Sequence, residues 1–224
     1  MNINNSVFPQ VHVERASLKD QAAEVLREMI VSGKIASGSK VTERDVAEWL
    51  RISRMPARDA LMALERQGLI VTKPGGRYVI ELDEQDIRHL YQLRIALEKL
   101  AVELAVGNST LANQAALDAK LAEMRQAIAV EDIPTYSASD IEMHELIWQQ
   151  AGNPYLLEML NSMIGPIFMF IASQARMIED WQESLRLHEQ LVEMIRAKDV
   201  AGAVQSIEAH VQHSFDLSLS VFQK

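Results

Sequence analysis

Apolar residues recur at helical spacing through most of this chain, and the first run begins at Ser17. In SLKDQAAEVLREMIVSG, Leu18, Ala22, Val25, Leu26, Met29 and Ile30 share one face, with Ser17 placed to cap and Gly33 to stop. After the turn ASGSK, the run VTERDVAEWL points Val46, Ala47 and Leu50 inward behind a Thr42 cap. Arg51-Ile52 makes a short turn. Ser53 then caps a third helix with Pro56 in its first turn, where a missing N–H costs little. Its buried stripe is Ala57, Ala60, Leu61 and Leu64, and Gly68 ends it. LIVTKPGGRYVIEL switches to two short β-rich runs around Lys73-Pro74-Gly75-Gly76, a hairpin signal. Three helices and a hairpin predict a winged helix-turn-helix over residues 14–81, behind a flexible polar tail at 1–13.

Past Leu82 the hairpin signals stop. Periodic segments run at about 83–106, 110–129, 133–150, 155–178, 182–198 and 200–222, separated by turns such as GNS, EDIP, AGNP and AKD. The fold class expected is mainly α, the second domain (82–224) being an all-α bundle of six or seven helices. The segment YLLEMLNSMIGPIFMFIA is apolar on nearly every side, as a central bundle helix would be, and Gly165-Pro166 should kink it.

Charge sharpens this division. The whole chain is acidic, with 22 Lys+Arg against 31 Asp+Glu and a formal net charge of −9. Residues 1–80, however, hold 12 basic and 9 acidic side chains, and the remainder carries the acidity. Two parts of opposite sign point to two domains with different partners. The chain has no cysteine, which removes disulfides, thiolate metal sites and cysteine nucleophiles. No apolar run approaches the ~20 residues of a membrane span, and the start lacks the pattern of a secretory signal. A cytoplasmic protein without membrane partners is expected.

In a winged helix-turn-helix the helix after the tight turn enters the major groove with its N-terminal residues on base edges. Arg54 and Arg58 stand one turn apart on an exposed face of that helix, and arginine pairs bidentately with guanine O6 and N7. Arg44, at the start of the preceding helix, and Arg77, in the wing, are candidates for flanking phosphates or the minor groove. The competing account, a solvated arginine face, does not explain the short turn and the Gly-rich wing that follow in order.

In the second domain the informative residues are polar ones at inward positions. The third bundle helix reads Ile133, Tyr136, Asp140, His144, Ile147 along its inward stripe; the fifth reads Leu185, His188, Val192, Ile195. In the sixth, His210 follows Ile207, whereas His213 shares a face with Ser206, Asp216 and Ser220 and is expected to be exposed. A carboxylate and three imidazoles inside a bundle are costly unless satisfied. One divalent cation would satisfy all four; separate hydrogen bonds, or an Asp140–His144 pair, would also do. Arg94 interrupts the apolar seam Ile87, Leu90, Leu97, Ala101, Leu104, and either a small organic acid or an ion pair with Glu98 would answer its charge.

The first domain resembles the DNA-binding domain of GntR-family bacterial transcription regulators, through VTERDVAEWLRISRMPARDALMALERQGLIVTKPGGRYV. The family pattern is a Ser-Arg pair, then Pro-x-Arg-[Glu/Asp]-Ala-Leu, Leu-x-x-x-Gly-Leu and a Gly-containing wing. The resemblance implies that Ser53, Arg54, Arg58 and Arg44 meet operator bases and phosphates, with Gly76 at the wing tip. Ala57 departs from the usual valine or leucine and is still apolar. The remainder is similar to the FCD ligand-binding domain of the FadR subfamily, through RIALEKLAVELA, DIEMHELIWQQAGNPYL and HEQLVEMIRAKDVAGAVQSIEAHV. Many such domains bind a metal through an Asp and three His in this order, positions held here by Asp140, His144, His188 and His210. The ion implied is zinc, nickel, manganese or iron, because His/Asp sites accept each of them.

The expected function follows from both halves: a DNA-binding transcription regulator, a repressor, acting as a homodimer on a palindromic double-stranded operator. Its effector is a small carboxylate metabolite in the metal-containing cavity, with Arg94 as its cationic partner and Asn161 and Arg176 as weaker candidates. The alternative is a regulator for which the ion itself is the signal. A metal-dependent hydrolase is disfavoured, since no HExxH motif and no general base accompanies the ligands, so no enzyme activity is expected.

Overall fold

A computed structural model of the chain describes residues 17–174 and 181–223. The 1–13 tail and Arg176 lie outside the described residues. Helix α1 (Leu18–Val31), strand β1 (Lys40–Val41), α2 (Glu43–Leu50), α3 (Arg54–Arg66), β2 (Ile70–Lys73) and β3 (Gly76–Val79) form the first unit. The sheet order is β1-β3-β2, all antiparallel, with Val71 opposite Tyr78 and Lys40 opposite Tyr78 on the other edge. The sequence pattern places 36–40 in a turn. Two residues cannot display an alternation, so β1 becomes visible only through its pairing with the wing.

Local chemistry explains the boundaries. Ser17 and Thr42 cap their helices in reciprocal capping boxes with Asp20 and Asp45, each satisfying backbone donors that the first turn leaves unpaired. Thr42→Ala is accordingly expected to destabilise the protein by about 1 kcal/mol, read as a lower midpoint in urea unfolding. Arg51 closes α2 in the left-handed region at φ 53°, ψ 44°, which makes the turn into α3 tight. Ser53 occupies the N-cap position of α3, but its side chain makes no capping hydrogen bond. The core of this unit gathers Leu26, Ile30, Val41, Val46, Leu61, Leu64, Ile70 and Val79.

The second unit consists of α4 (Glu84–Asn108), α5 (Leu111–Ala129), α6 (Ile133–Gln150), α7 (Pro154–Gln174), α8 (Trp181–Ala197) and α9 (Val200–Ser220), then a 3-10 turn at Val221–Gln223. Asp83, Thr110, Asp132 and Asp199 cap four of them. A separate core runs from Ile87 to Val211 and includes Tyr91, Met124, Met143, Trp148 and Ile195. No described helix is long and apolar enough to cross a membrane.

Helix α7 corrects an expectation. It is not enclosed on all sides: Tyr155 is 79% exposed and Met159 57%, while Leu156, Leu160, Ile164 and Ile167 face the core. It runs on through Pro166. Gly165-Pro166 is where the two units touch. A Cβ added at Gly165 would collide with the Gln67 carbonyl oxygen at the end of α3, and one at Gly68 would lie 2.8 Å from the Ser162 carbonyl oxygen.

Candidate functional site

Two candidate sites emerge. At the first, Arg54, in the first turn of α3, and Arg44, in the first turn of α2, are exposed, as are Ser53 and Arg58. An open cavity of about 680 Å³ brings Arg44, Arg54, Gly76 and Arg77 together with Lys40 and Thr42. Lys40 was not singled out from sequence; nothing but its charge could have signalled it, since its place depends on β1 pairing with the wing. Arg58 stands 3.9 Å from Glu43, an exposed and loose pair that costs little to release. Arg77 behaves differently from the expectation. Its guanidinium is half-buried between Glu43 (3.4 Å) and Glu65 (3.3 Å), so it fastens the wing to α2 and α3 instead of extending outward. The Thr72 hydroxyl, with Arg77 behind it, holds the Glu65 carboxyl below its usual range against a small desolvation cost.

At the second site the bundle brings four polar side chains together. Asp140, His144, His188 and His210 each offer one ligand atom, and these atoms all lie within 4.8 Å of one another. Asp140 and His144 are one turn apart on α6, His188 comes from α8 and His210 from α9. The three imidazoles are buried, and Asp140 keeps 16% of its side chain exposed. His144 Nε2 lies 3.1 Å from His210 Nε2 and 3.6 Å from Asp140 Oδ1. Two ligands bonded at ~2.1 Å to one ion are at most ~4.2 Å apart. A contraction of about half an ångström at the widest point would therefore suffice.

The tautomers carry further information. His188 Nδ1 lies 2.8 Å from the Ser184 carbonyl oxygen, which can only accept, so Nδ1 bears the hydrogen. In the neutral ring Nε2 is then a lone pair, and it faces Asp140 Oδ1 at 2.7 Å. Two acceptors do not hold that distance by themselves; a proton or a cation must lie between. His210 itself is disfavoured as a cation. Burial, then the neighbouring His188, His144 and Arg94, pushes its pKa well below the usual imidazole range, so it stays in the neutral, ligating form. Burial pushes Asp140 up, but His188, His144 and Arg94 outweigh it and hold the carboxyl below its usual range. Ionised carboxylate and neutral imidazole are the states a divalent ion needs.

Glu98, fully buried, lies beside this cluster. Burial pushes its carboxyl up, but His144 and Arg94 bring it down to about 2. Arg94 donates to it from Nε at 2.6 Å, the ion-pair alternative left open by the sequence. Arg94 Nη2 also reaches to 3.4 Å from His144 Nε2, so the guanidinium borders the cluster while paired. Asn161 is not brought there: it lies on the exposed side of α7, next to inward-facing Leu160. His213 is half-buried rather than exposed, with Nε2 enclosed.

The comparisons agree with this division. Residues 18–80 match the pattern of bacterial regulatory proteins of the gntR family, and residues 89–213 match the FCD domain. The chain is 30% identical over 207 residues to the gluconate operon transcriptional repressor of Bacillus subtilis (strain 168), covering 90% of this chain and 85% of that one. It is 25% identical over 219 residues to the HTH-type transcriptional repressor NanR of Enterobacter sp. (strain 638), covering 88% and 84% respectively. Among solved structures, E. coli McbR/YncC superimposes with a TM-score of 0.80 over 93% of this chain and all of that one, at 22% identity, a likeness of fold.

Proposed function

This chain belongs to the GntR family of bacterial transcription regulators and carries an FCD domain, and from that premise we propose that it is a repressor whose hold on its operator is set by a small carboxylate bound at a divalent metal ion. The observation that carries the metal is the 2.7 Å approach of the His188 lone pair to Asp140. Asp140, His144, His188 and His210 would hold the ion, which supplies positive charge and leaves coordination positions open to an oxygen anion. Ionised Asp140 and Glu98 set against Arg94 and a divalent ion leave one positive charge in excess. One carboxylate would neutralise it, and Arg94 stands at the cluster's border to receive it.

On the DNA side, Arg54 and Arg58 read base edges, Arg44 and Lys40 meet phosphate, and the wing tip at Gly76 follows the groove. One recognition helix reads too few base pairs for an operator, so two copies bind two half-sites. Exposed Leu93 (56%) and Leu100 (43%) lie seven residues apart on α4 with Ala96 between them, the spacing of a helix–helix seam, and a second copy would cover them. The acidic bundle keeps DNA contact to the basic end. Such a protein works in the cytoplasm, beside the DNA it reads.

The test is selection of duplexes from a random pool with metal-loaded protein, followed by release assays. Enrichment of a two-fold symmetric site, released by a monocarboxylate only when metal is present, is the expected result. Release by chelation alone, with no carboxylate effective, would instead make the ion the signal. A pool showing no sequence enrichment would overturn the operator reading.

A further inference from the structure

We infer that Glu98 is a positioning residue for the metal centre: it locks the His144 imidazole with Nε2 turned toward Asp140, His188 and His210, and keeps Arg94 at the border of the same cluster. The inference rests on the reading of those four residues as a metal site, and it adds a residue that the ligand set does not include.

The geometry leaves little freedom. Glu98 Oε2 lies 2.7 Å from His144 Nδ1, and a carboxylate accepts, so the hydrogen of the neutral ring is on Nδ1. Nε2 is thereby a lone pair, and it is the atom that faces His210 and Asp140. The Trp148 indole N–H, one turn along α6, approaches the same Oε2 at 3.4 Å, while Oε1 receives Arg94 Nε at 2.6 Å. Glu98 is thus held from both sides and cannot rotate away from His144 without breaking the Arg94 contact.

The other ligands are oriented differently. His188 uses the Ser184 carbonyl of its own helix, four residues back, so that bond forms with the helix itself. The Glu98–His144 bond joins α4 to α6 across 46 residues of sequence. A carboxylate behind a metal-binding imidazole fixes its tautomer and raises its basicity, and losing such a partner weakens metal affinity by roughly ten- to a hundredfold. Arg94 and His144 therefore hang on one carboxylate, so a ligand that draws Arg94 away from Oε1 acts on the group that orients His144.

Two measurements test this. The first is the tautomer of His144 in metal-free wild-type protein, read from imidazole 15N shifts and their couplings to ring protons. An Nδ1–H tautomer is expected; an Nε2–H tautomer would overturn the inference. The second is zinc affinity by competition with a chelating dye, comparing wild type with Glu98→Gln. The substituted amide is neutral and offers Arg94 and His144 only one carbonyl oxygen between them, so zinc binding should weaken by roughly ten- to a hundredfold. Unchanged zinc affinity would sink the proposal with the metal reading intact. If wild type takes up no zinc, the metal reading falls and this inference with it. If the variant does not fold, the wild-type tautomer decides.

Discussion

Replacing Arg54 and Arg58 together by alanine is expected to bring operator affinity close to the level seen on unrelated duplex. Each arginine stands to make one bidentate contact, and each such contact discriminates by ~1–3 kcal/mol. Losing both weakens specific binding by about thirtyfold to twenty-thousandfold, converting at 1.4 kcal/mol per decade. Residual binding to any DNA should persist, because Arg44 and Lys40 remain to attract phosphate. Folding should be little affected: both side chains are exposed, and Arg58 has only a loose 3.9 Å pair with Glu43 to lose. Fluorescence anisotropy on the selected site and on a scrambled duplex, at one fixed salt concentration, reads the difference. A double variant that still prefers the selected site by the wild-type ratio would mean that other residues read the bases.

The second large effect belongs to His188→Ala. Elemental analysis of protein purified without chelators should find about one divalent ion per chain in wild type and almost none in the variant. His188 offers one of the four candidate ligand atoms among the described residues and lies 2.7 Å from Asp140, so its loss should remove more than an orienting partner would. Thermal unfolding supplies an independent readout. A ligand at a hundred times its Kd stabilises the folded state by ~2.7 kcal/mol, so added zinc should raise the wild-type Tm and leave that of the variant unmoved. Stoichiometric metal in the variant would show that the ion sits elsewhere. No metal in wild type would reduce the cluster to a polar core held by hydrogen bonds and protons.

Most of the helices were legible because their signals are local. Caps at Ser17 and Thr42 and stripes such as Ala57-Ala60-Leu61-Leu64 depend on residues within a turn or two. The four clustered side chains, Asp140, His144, His188 and His210, were legible for the same reason, each a polar side chain at an inward position of a periodic helix. What escaped depends on partners far along the chain. The role of Lys40 requires β1 to find β3, and Arg77 requires Glu43 and Glu65 from two other elements. Glu98 was visible as a partner for Arg94 four residues away. Its bond to His144 was not, because no local pattern shows which face of α6 meets α4. The apolar character of α7 misled for a related reason: which faces of a helix its neighbours cover is set by packing far along the chain, and Tyr155 and Met159 stand exposed on the face the bundle leaves open.

The contact between Gly165 and Gln67 has a mechanical consequence. Where domains meet through side chains, rotamers yield and absorb small displacements before they travel. Here the backbone of α7 bears on the backbone at the end of α3, with Gly68 answering from the other side. Helix α7 also packs against α4 and α6, the helices that carry Glu98, Asp140 and His144. A shift of α7 by a fraction of an ångström would therefore press directly on the foot of α3, and over the length of α3 a small tilt at the foot would become a larger swing at Arg54. Such a junction would serve as a fulcrum between the two units.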